Sequence, residues 1–285
     1  MAHGDMPSYI LTLSCPNRIG IVAAVAGFLA DREGDILESA QFDDRASGRF
    51  FMRVRFEIDA AEDGLNGAFA PVAEGFGMDW LLADAGRRPK LLILVSKFGH
   101  CLNDLLYRYG SGLLKADVAA VVSNHRDFYR LAASYDVPFH HLPVTPDTKA
   151  VQERKILELV EEQRIDCVVL ARYMQVLSRP LCEALAGRAI NIHHSFLPSF
   201  KGAAPYTQAH ARGVKLIGAT AHYVTPDLDE GPIIEQDVVR VDHTMTPDDL
   251  MAAGRDVECS VLARAVRFHI ERRVLPNGNR TVVFR

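Results

Sequence analysis

The chain has 285 residues, of which 48% are hydrophobic and 24% are charged, and its formal net charge at pH 7 is −4. This balance is typical of a soluble globular protein with room for one large domain or two smaller ones. The mixed charge predicts neither a nucleic-acid surface nor attraction to an anionic membrane. No apolar run approaches the roughly 20 residues that a membrane-spanning helix needs.

The N-terminal segment and the cysteines indicate a compartment. Residues 1–6 contain neither the basic nor the apolar stretch of a secretory signal. The cysteines are scattered, odd in number and without CxxC spacing, which predicts reduced thiols, most of them in core positions. We therefore expect a cytoplasmic protein. The five cysteines are Cys15, Cys101, Cys167, Cys182 and Cys259.

Residues 8–84 carry a βαββαβ pattern. The first helix has apolar residues at helical spacing, and the third strand alternates apolar and charged residues. This order of elements predicts the ferredoxin-like arrangement. The predicted strands are 9–14, 36–42, 49–58 and 78–82, and the predicted helices are 19–31 and 63–76.

A polar stretch at 84–90, which contains Gly and Pro, predicts a linker between two domains, residues 1–85 and 86–285. After it, continuous apolar runs alternate with helical segments, as expected for buried parallel strands in a Rossmann-like α/β fold. The predicted strands are 91–95, 118–123, 167–171, 189–193, 216–224, 232–241 and 281–284. The predicted helices are 101–109, 127–135, 149–163 and 246–272, and 276–279 is a predicted turn.

Polar residues at the end of the strand 189–193 are the strongest candidates for catalysis. Asn191 and His193 are two positions apart, so they project from the same face of a strand. Asp229 follows in an Asp-Glu-Gly-Pro loop. An amide, an imidazole and a carboxylate can together stabilise an oxyanion and move a proton. Taken singly, His193 also fits a hydrogen-bonded core histidine, and Asp229 fits a turn residue.

The sequence predicts no nucleotide cofactor and no metal. Residues 94–100, which follow the first strand of the second domain, contain neither G-x-G-x-x-G nor a P-loop. His193 and His194 are adjacent on a predicted strand, so we expect their rings on opposite faces, unable to share an ion. The chain has no HExxH and no Cys/His cluster of zinc spacing.

Several segments resemble the folate-dependent formyltransferase/hydrolase family: 191–198, 218–224, 228–232, 241–244 and 253–258. Together with the first domain, the resemblance covers nearly the whole chain and points to the hydrolases of that family. It implies that water attacks the formyl carbon of 10-formyltetrahydrofolate, with Asn191, His193 and Asp229 as catalytic residues and no further cofactor. It also implies a role in balancing the one-carbon pool and supplying formate for purine synthesis.

The same resemblance implies that two loops bind the pteridine, mainly through backbone groups. Gln175 stands where the family commonly has a basic residue. We therefore expect Arg172 or Arg179, and not Gln175, to contact the acidic tail of the folate. A purely structural role for the first loop remains an alternative. The matched residues are Tyr173, Met174, Gln175, Val176 and Leu177 in the first loop, and Thr225, Pro226, Asp227 and Leu228 in the second.

The first domain resembles ACT domains in the segments 15–20 and 34–36. The resemblance implies an amino-acid effector, methionine or glycine, and a homo-oligomer, either a dimer or a tetramer. A dimerisation module without a ligand is the alternative. The matched effector residues are Asn17, Gly20, Asp35 and Ile36.

Three other functions compete with hydrolysis. A glycinamide ribonucleotide formyltransferase needs a small-residue turn to hold a phosphate, which residues 96–101 do not provide, although Lys97 could still attract an anion. A methionyl-tRNA formyltransferase would need a basic nucleic-acid face and an extra C-terminal barrel. A non-catalytic amino-acid sensor would use residues 8–84 alone.

Overall fold

The computed structural model describes residues 6–197 and 205–285, which fall into two compact units. One unit comprises the chain up to Arg87 together with Glu271–Asn277 and Thr281–Arg285, and the other comprises Arg88–Ile270 and Gly278–Arg280. Pro198, the last residue of the 191–198 motif, lies outside the described residues. Within the two described ranges, no helix combines the length and the apolar character needed to cross a membrane.

The first unit has the βαββαβ order that the sequence predicts. Its four strands form one antiparallel sheet in the order β2-β3-β1-β4. Alternate side chains of β1 and β3 pack against both helices in one buried cluster that includes Leu11, Val54 and Phe69. The elements are β1 (Ser8–Pro16), α1 (Ile21–Ala30), β2 (Asp35–Asp44), β3 (Arg49–Glu57), α2 (Glu62–Phe76) and β4 (Asp79–Asp84).

The start of α1 differs from the prediction. The apolar spacing placed the helix start at Ile19, but α1 begins at Ile21, and Ile19 is fully exposed. Gly20 has a φ of 98°, a left-handed conformation that an α-helix cannot include. The helix therefore begins only after this glycine.

The C-terminal residues were predicted to belong to the second domain, and the structure corrects this. Glu271–Asn277 and Thr281–Arg285 cluster with the first unit. Leu275 and Phe284 bury their side chains against Phe51. Phe51 alternates along β3 with the residues that face the helices, so this second core covers the other sheet face. Removing a buried aromatic side chain of this kind typically costs about 3–5 kcal/mol. The strands involved are β12 (Val274–Asn277) and β13 (Arg280–Val283).

The second unit is an α/β structure around a seven-stranded mixed sheet in the order β11-β10-β9-β8-β5-β6-β7. Strands β5 to β9 pair in parallel, and β10 and β11 are antiparallel. Its strands are β5 (Lys90–Val95), β6 (Asp117–Ser123), β7 (Phe139–His141), β8 (Cys167–Leu170), β9 (Ala189–His193), β10 (Leu216–Tyr223) and β11 (Ile233–Arg240). Its helices are α3 (His100–Gly110), α4 (Tyr129–Ala133), α5 (Lys149–Glu162), α6 (Arg179–Ala184), α7 (Pro205–Ala211) and α8 (Pro247–Ile270).

Strand pairing in this sheet places the candidate catalytic strand, β9, beside two different partners. On one side, β8 runs parallel to it, with Leu170 opposite Asn191. On the other side, β10 runs antiparallel, with His222 opposite Asn191 and Thr220 opposite His193. The carboxyl ends of β8 and β9 thus meet at one edge of the sheet, where an open α/β sheet places its ligand.

Candidate active site

The structure brings Asn191, His193 and Asp229 to one cavity of about 310 Å³. Nδ1 of His193 lies 3.2 Å from Oδ1 of Asp229, and the His193 side chain is buried. Asn191 lies on the same face of β9 but contacts His222 instead of the other two residues. The predicted carboxylate and imidazole are therefore direct partners, and the predicted amide joins them through a fourth residue.

That fourth residue, His222, belongs to the candidate site but was not predicted from the sequence as a site residue. Its Nδ1 lies 2.8 Å from the carbonyl oxygen of Tyr223, which can only accept, so Nδ1 is the donor. In the neutral ring, Nε2 then accepts from the Asn191 amide at 3.3 Å. The same Nε2 is 3.7 Å from Asp229. His222 was part of a recognised motif, but only the β9–β10 register shows that it supports Asn191 and Asp229.

Asp229 has a left-handed backbone conformation within its loop. Its φ is 58°, in the left-handed region that Asp tolerates better than most residues. The hydrogen bond from His193 and, next, the nearby His222 ring hold the pKa of Asp229 far below its usual range, although partial burial acts in the opposite direction. Asp229 therefore carries a negative charge at neutral pH.

Gly231 explains why the loop after Asp229 needs a residue without a side chain. A Cβ at this position would lie 1.7 Å from the carbonyl oxygen of Tyr223 and 3.2 Å from Nδ1 of His222. Any larger residue would push the loop away from β10. The Asp-Glu-Gly-Pro motif thus forms a turn and also places a carboxylate beside two imidazoles.

The Nε2 atom of His193 is available to a ligand. It is buried and has no hydrogen-bond partner among the described residues, and His193 lines the cavity. A buried nitrogen without a partner is costly, which is a reason to expect a ligand atom beside it. Because Nδ1 faces Asp229, the opposite nitrogen, Nε2, is the one that points to the cavity.

The expectation that His193 and His194 face opposite sides was wrong. Their rings stack with centroids 4.8 Å apart and 22° between the planes. Strand β9 ends at His193, so the alternation of a strand does not extend to His194. Burial, assisted by the charges of Arg172 and His193, lowers the pKa of His194 to about 4. His194 is therefore neutral at physiological pH.

The predicted folate loops line the same cavity, with one exception. The exception is Asp227, whose carbonyl oxygen accepts a hydrogen bond from Thr225. Ser96 fixes the first loop, since its hydroxyl accepts from the Met174 N–H at 2.9 Å and donates to Asn124 at 2.7 Å. The predicted residues that line the cavity are Tyr173, Met174, Gln175, Val176, Leu177, Thr225, Pro226 and Leu228.

A second cluster of titratable residues lies around Glu258, whose side chain is 1% exposed. One carboxylate oxygen is 2.7 Å from Nε2 of His100 and 3.4 Å from Nε of Arg172, and the other accepts from Tyr206 at 2.9 Å. Burial acts to raise the pKa of Glu258, but the hydrogen bond with His100 and the charge of Arg172 outweigh it and keep the group ionised.

Three atoms of this cluster are close enough to suggest a metal ion. The ligand atoms of His100, Cys101 and Glu258 lie within 4.8 Å of one another. A hydrogen bond with Cys259, together with burial, raises the pKa of the Cys101 thiol well above its usual value. Both oxygens of Glu258 have other partners. The contacts of Glu258 with His100, Arg172 and Tyr206 account for this cluster as an ion-pair network.

The predicted effector residues lie in the first unit. Gly20 directly precedes α1, and Asp35 and Ile36 open β2. The backbone N–H of Asn17 donates to the carbonyl oxygen of Gly48 at 2.9 Å. No hydrogen bond or ion pair that the structure describes links these four residues to one another.

Comparison with known proteins gives the family context of this geometry. A formyl transferase family model matches residues 89–266. A formyltetrahydrofolate deformylase of Corynebacterium sp. (strain P-1) is 56% identical over 280 residues, which are 97% of this chain and 98% of that protein. A crystal structure of formyltetrahydrofolate deformylase from Burkholderia mallei, 58% identical, superposes with a TM-score of 0.94 over 98% of this chain and 100% of that one. Glycinamide ribonucleotide transformylase 1 from Symbiobacterium toebii, 31% identical, superposes with a TM-score of 0.64 over 70% of this chain and 95% of its own.

Proposed function

The chain belongs to the formyl transferase family, among its formyltetrahydrofolate deformylases, and we propose that Asn191, His193 and Asp229 carry out their reaction. These hydrolases convert 10-formyltetrahydrofolate and water to tetrahydrofolate and formate. One observation carries the proposal. The buried His193 ring contacts ionised Asp229 on one side and presents an unpartnered nitrogen on its other side, in a cavity that Asn191 and the folate loops also line.

The first step is the attack of water on the formyl carbon. A C–O bond forms, and the carbonyl electron pair moves to the formyl oxygen. The second N–H of the Asn191 amide and the Nε2–H of protonated His193 are the donors for this oxyanion. The first N–H of that amide is held by His222, which fixes its direction. Removing one preorganised donor of this kind typically lowers turnover by about 10²–10³.

The second step breaks the C–N10 bond, and the electron pair goes to N10. His193 gives its Nε2 proton to N10, and one proton of the attacking water restores His193. The other proton of that water is lost when formic acid ionises. Asp229 stabilises protonated His193 and orients the water. Because the two imidazoles depress its pKa, Asp229 is a weak base, which favours this orienting role over proton acceptance. The step uses water and protein side chains without a cofactor.

We propose that the folate enters between the two predicted loops. Met174 and Val176 are more than half exposed, so they offer apolar surface to the pteridine or to the adjacent ring. Of the two arginines considered for the acidic tail, Arg172 is engaged with Glu258. Arg179 is exposed, and its only described ion pair is with Glu183 at 3.7 Å, within one helix turn. Such pairs are weak, so Arg179 is the better candidate.

The turn after β5 supports water as the acceptor. A Cβ on Gly99 would lie 2.2 Å from the Phe128 ring, so this ring covers the turn closely. Phe98 is also bulky and partly exposed. A phosphate held by backbone N–H groups needs small residues and open space at such a turn. Transfer to a ribonucleotide therefore has less support than hydrolysis.

For the first unit we propose the regulatory role of an ACT-like domain. Asn17, Gly20, Asp35 and Ile36 would contact an amino-acid effector, methionine or glycine, in a homo-oligomeric protein that works in the cytoplasm. The formate released would supply purine synthesis. Support comes from the ferredoxin-like element order and the exposed edge strand β2, a surface that a second copy can pair with.

Supplying the purified protein with 10-formyltetrahydrofolate, alone and with glycinamide ribonucleotide, tests the proposed function. Free formate as the main product in both mixtures is the expected result. Formylated ribonucleotide as the main product would support the transferase. If no 10-formylated folate yields formate, the hypothesis of a non-catalytic amino-acid sensor would be supported. Repeating the assay with methionine and with glycine tests the effector proposal, and an unchanged rate would favour a module without a ligand.

A further inference from the structure

Arg172 lies on a part of the cavity wall that the proposed mechanism does not use. The two folate loops form one side of the cavity, and the catalytic residues form its centre. Arg172 and His194 are polar residues of the remaining wall. If the loops hold the formyl donor, Arg172 and His194 are the polar wall residues left to meet an acceptor.

The position of Arg172 is fixed by both its backbone and its side chain. Its φ is 64°, and its carbonyl oxygen accepts a hydrogen bond from the Ser96 N–H at 3.2 Å. Its guanidinium lies 3.4 Å from Glu258 and 5.5 Å from the centre of the Phe98 ring. Only 11% of the side chain is exposed. Arg172 is thus a packed part of the wall, paired with Glu258 by charge, although its Nε makes no hydrogen bond to the described residues.

The partners of Glu258 make the wall rigid. His100 and Tyr206 each hold the carboxylate, and a Cβ on Gly254 would lie 2.1 Å from the Tyr206 hydroxyl. Helix α8 therefore carries a glycine where Tyr206 reaches Glu258. The carboxylate also balances the charge of the Arg172 guanidinium.

We propose that Arg172 is the residue that restricts the acceptor to water. In this proposal its guanidinium, paired with Glu258, would block the side of the cavity from which a primary amine reaches the formyl carbon. Water is small enough to enter beside it. With an amine, a new C–N bond would form, the C–N10 bond would break, and the amine proton would pass to N10. This inference rests on the proposed hydrolysis and assigns its acceptor specificity to one side chain.

The test is the partition of the formyl group between water and a small amine. Wild-type protein and Arg172→Gly are incubated with 10-formyltetrahydrofolate and glycinamide, and formate and N-formylglycinamide are measured. Glycine suits this position because it adopts a φ of 64° without strain. We expect the ratio of formylated amine to formate to rise by about tenfold or more, since pocket shape discriminates acceptors by about 10–200-fold. Arg172→Lys, which keeps the charge, should give a smaller rise.

Arg108→Ala is the matched control. Arg108 pairs with Asp104 at 2.7 Å on α3 and does not line the cavity, so its loss should change neither the ratio nor the rate of formate release. An unchanged ratio in both Arg172 variants would overturn the inference. Loss of all turnover in folded variants would also overturn it, because Arg172 would then be needed for hydrolysis itself. If the wild-type protein releases no formate, the proposed function fails instead.

Discussion

Asp229 lies 3.2 Å from His193 although the two residues come from separate elements, the loop between β10 and β11 and the end of β9. His222 holds this arrangement from the intervening strand, since β10 pairs with β9. The carboxylate therefore reaches the imidazole through sheet register, and the loop glycine lets the chain turn close to β10.

Removing either of the two proposed oxyanion donors, Asn191 and His193, should disable the enzyme without unfolding it. We expect Asn191→Ala or His193→Ala to lower kcat by about a hundredfold or more, because each donor is fixed in place before the substrate arrives. Formate release at saturating 10-formyltetrahydrofolate measures the effect, and thermal unfolding checks the fold. Near-normal turnover in either variant would remove that residue from the mechanism.

His222 should act on turnover more than on substrate binding. In His222→Ala, the Asn191 amide loses the acceptor that orients it, and Asp229 loses one of its two imidazole neighbours. A lost hydrogen bond is worth about 1 kcal/mol, so kcat should fall by roughly fivefold with KM little changed. A rise in KM at constant kcat would show that His222 serves binding instead.

His194 should make stability depend on pH between about 4 and 6.5. Burial first, then the charges of Arg172 and His193, lower its pKa in the folded state to about 4, whereas an unfolded histidine titrates near 6.5. As the pH falls, His194 is protonated in the unfolded chain before it is protonated in the folded one. Its contribution to the free energy of unfolding is therefore complete above pH 6.5 and is lost as the pH falls towards 4.

Denaturant midpoints at pH 7 and pH 5 measure this dependence. Wild-type protein should lose more stability on acidification than His194→Gln, which has no imidazole to protonate. The exposed His210 offers a control, since His210→Gln should retain the wild-type dependence. Equal losses in wild-type protein and His194→Gln would contradict the prediction.

The sequence predicts the parts of the fold that depend on local pattern. Strands β5, β6, β8 and β9 are buried on both faces, so each reads as a continuous apolar run. Asn191 and His193 could be identified because they end such a run two positions apart. The short β7 has only three residues, all partly exposed, and gives no such signal.

The features that the sequence could not predict depend on distant residues. The role of His222 follows from its place opposite Asn191 in the sheet. The C-terminal strands join the first unit because Leu275 and Phe284 pack against Phe51, which lies more than 200 positions earlier in the chain. The stacking of His194 on His193 depends on where β9 stops pairing, which apolar periodicity locates only approximately.

Gly231 allows a test of whether loop position alone controls catalysis. In Gly231→Ala, the new methyl group would overlap the carbonyl oxygen of Tyr223, so the loop has to move away from β10 and carry Asp229 from His193. Because a misplacement of about 1 Å can cost a hundredfold in rate, we expect formate release to fall by about that factor.

Gly67→Ala is the matched control. Gly67 lies exposed within α2, where an added Cβ meets no atom within 4 Å. It should gain about 0.5–1 kcal/mol of stability and keep wild-type turnover. Full activity in Gly231→Ala would mean that Asp229 does not need its contact with His193.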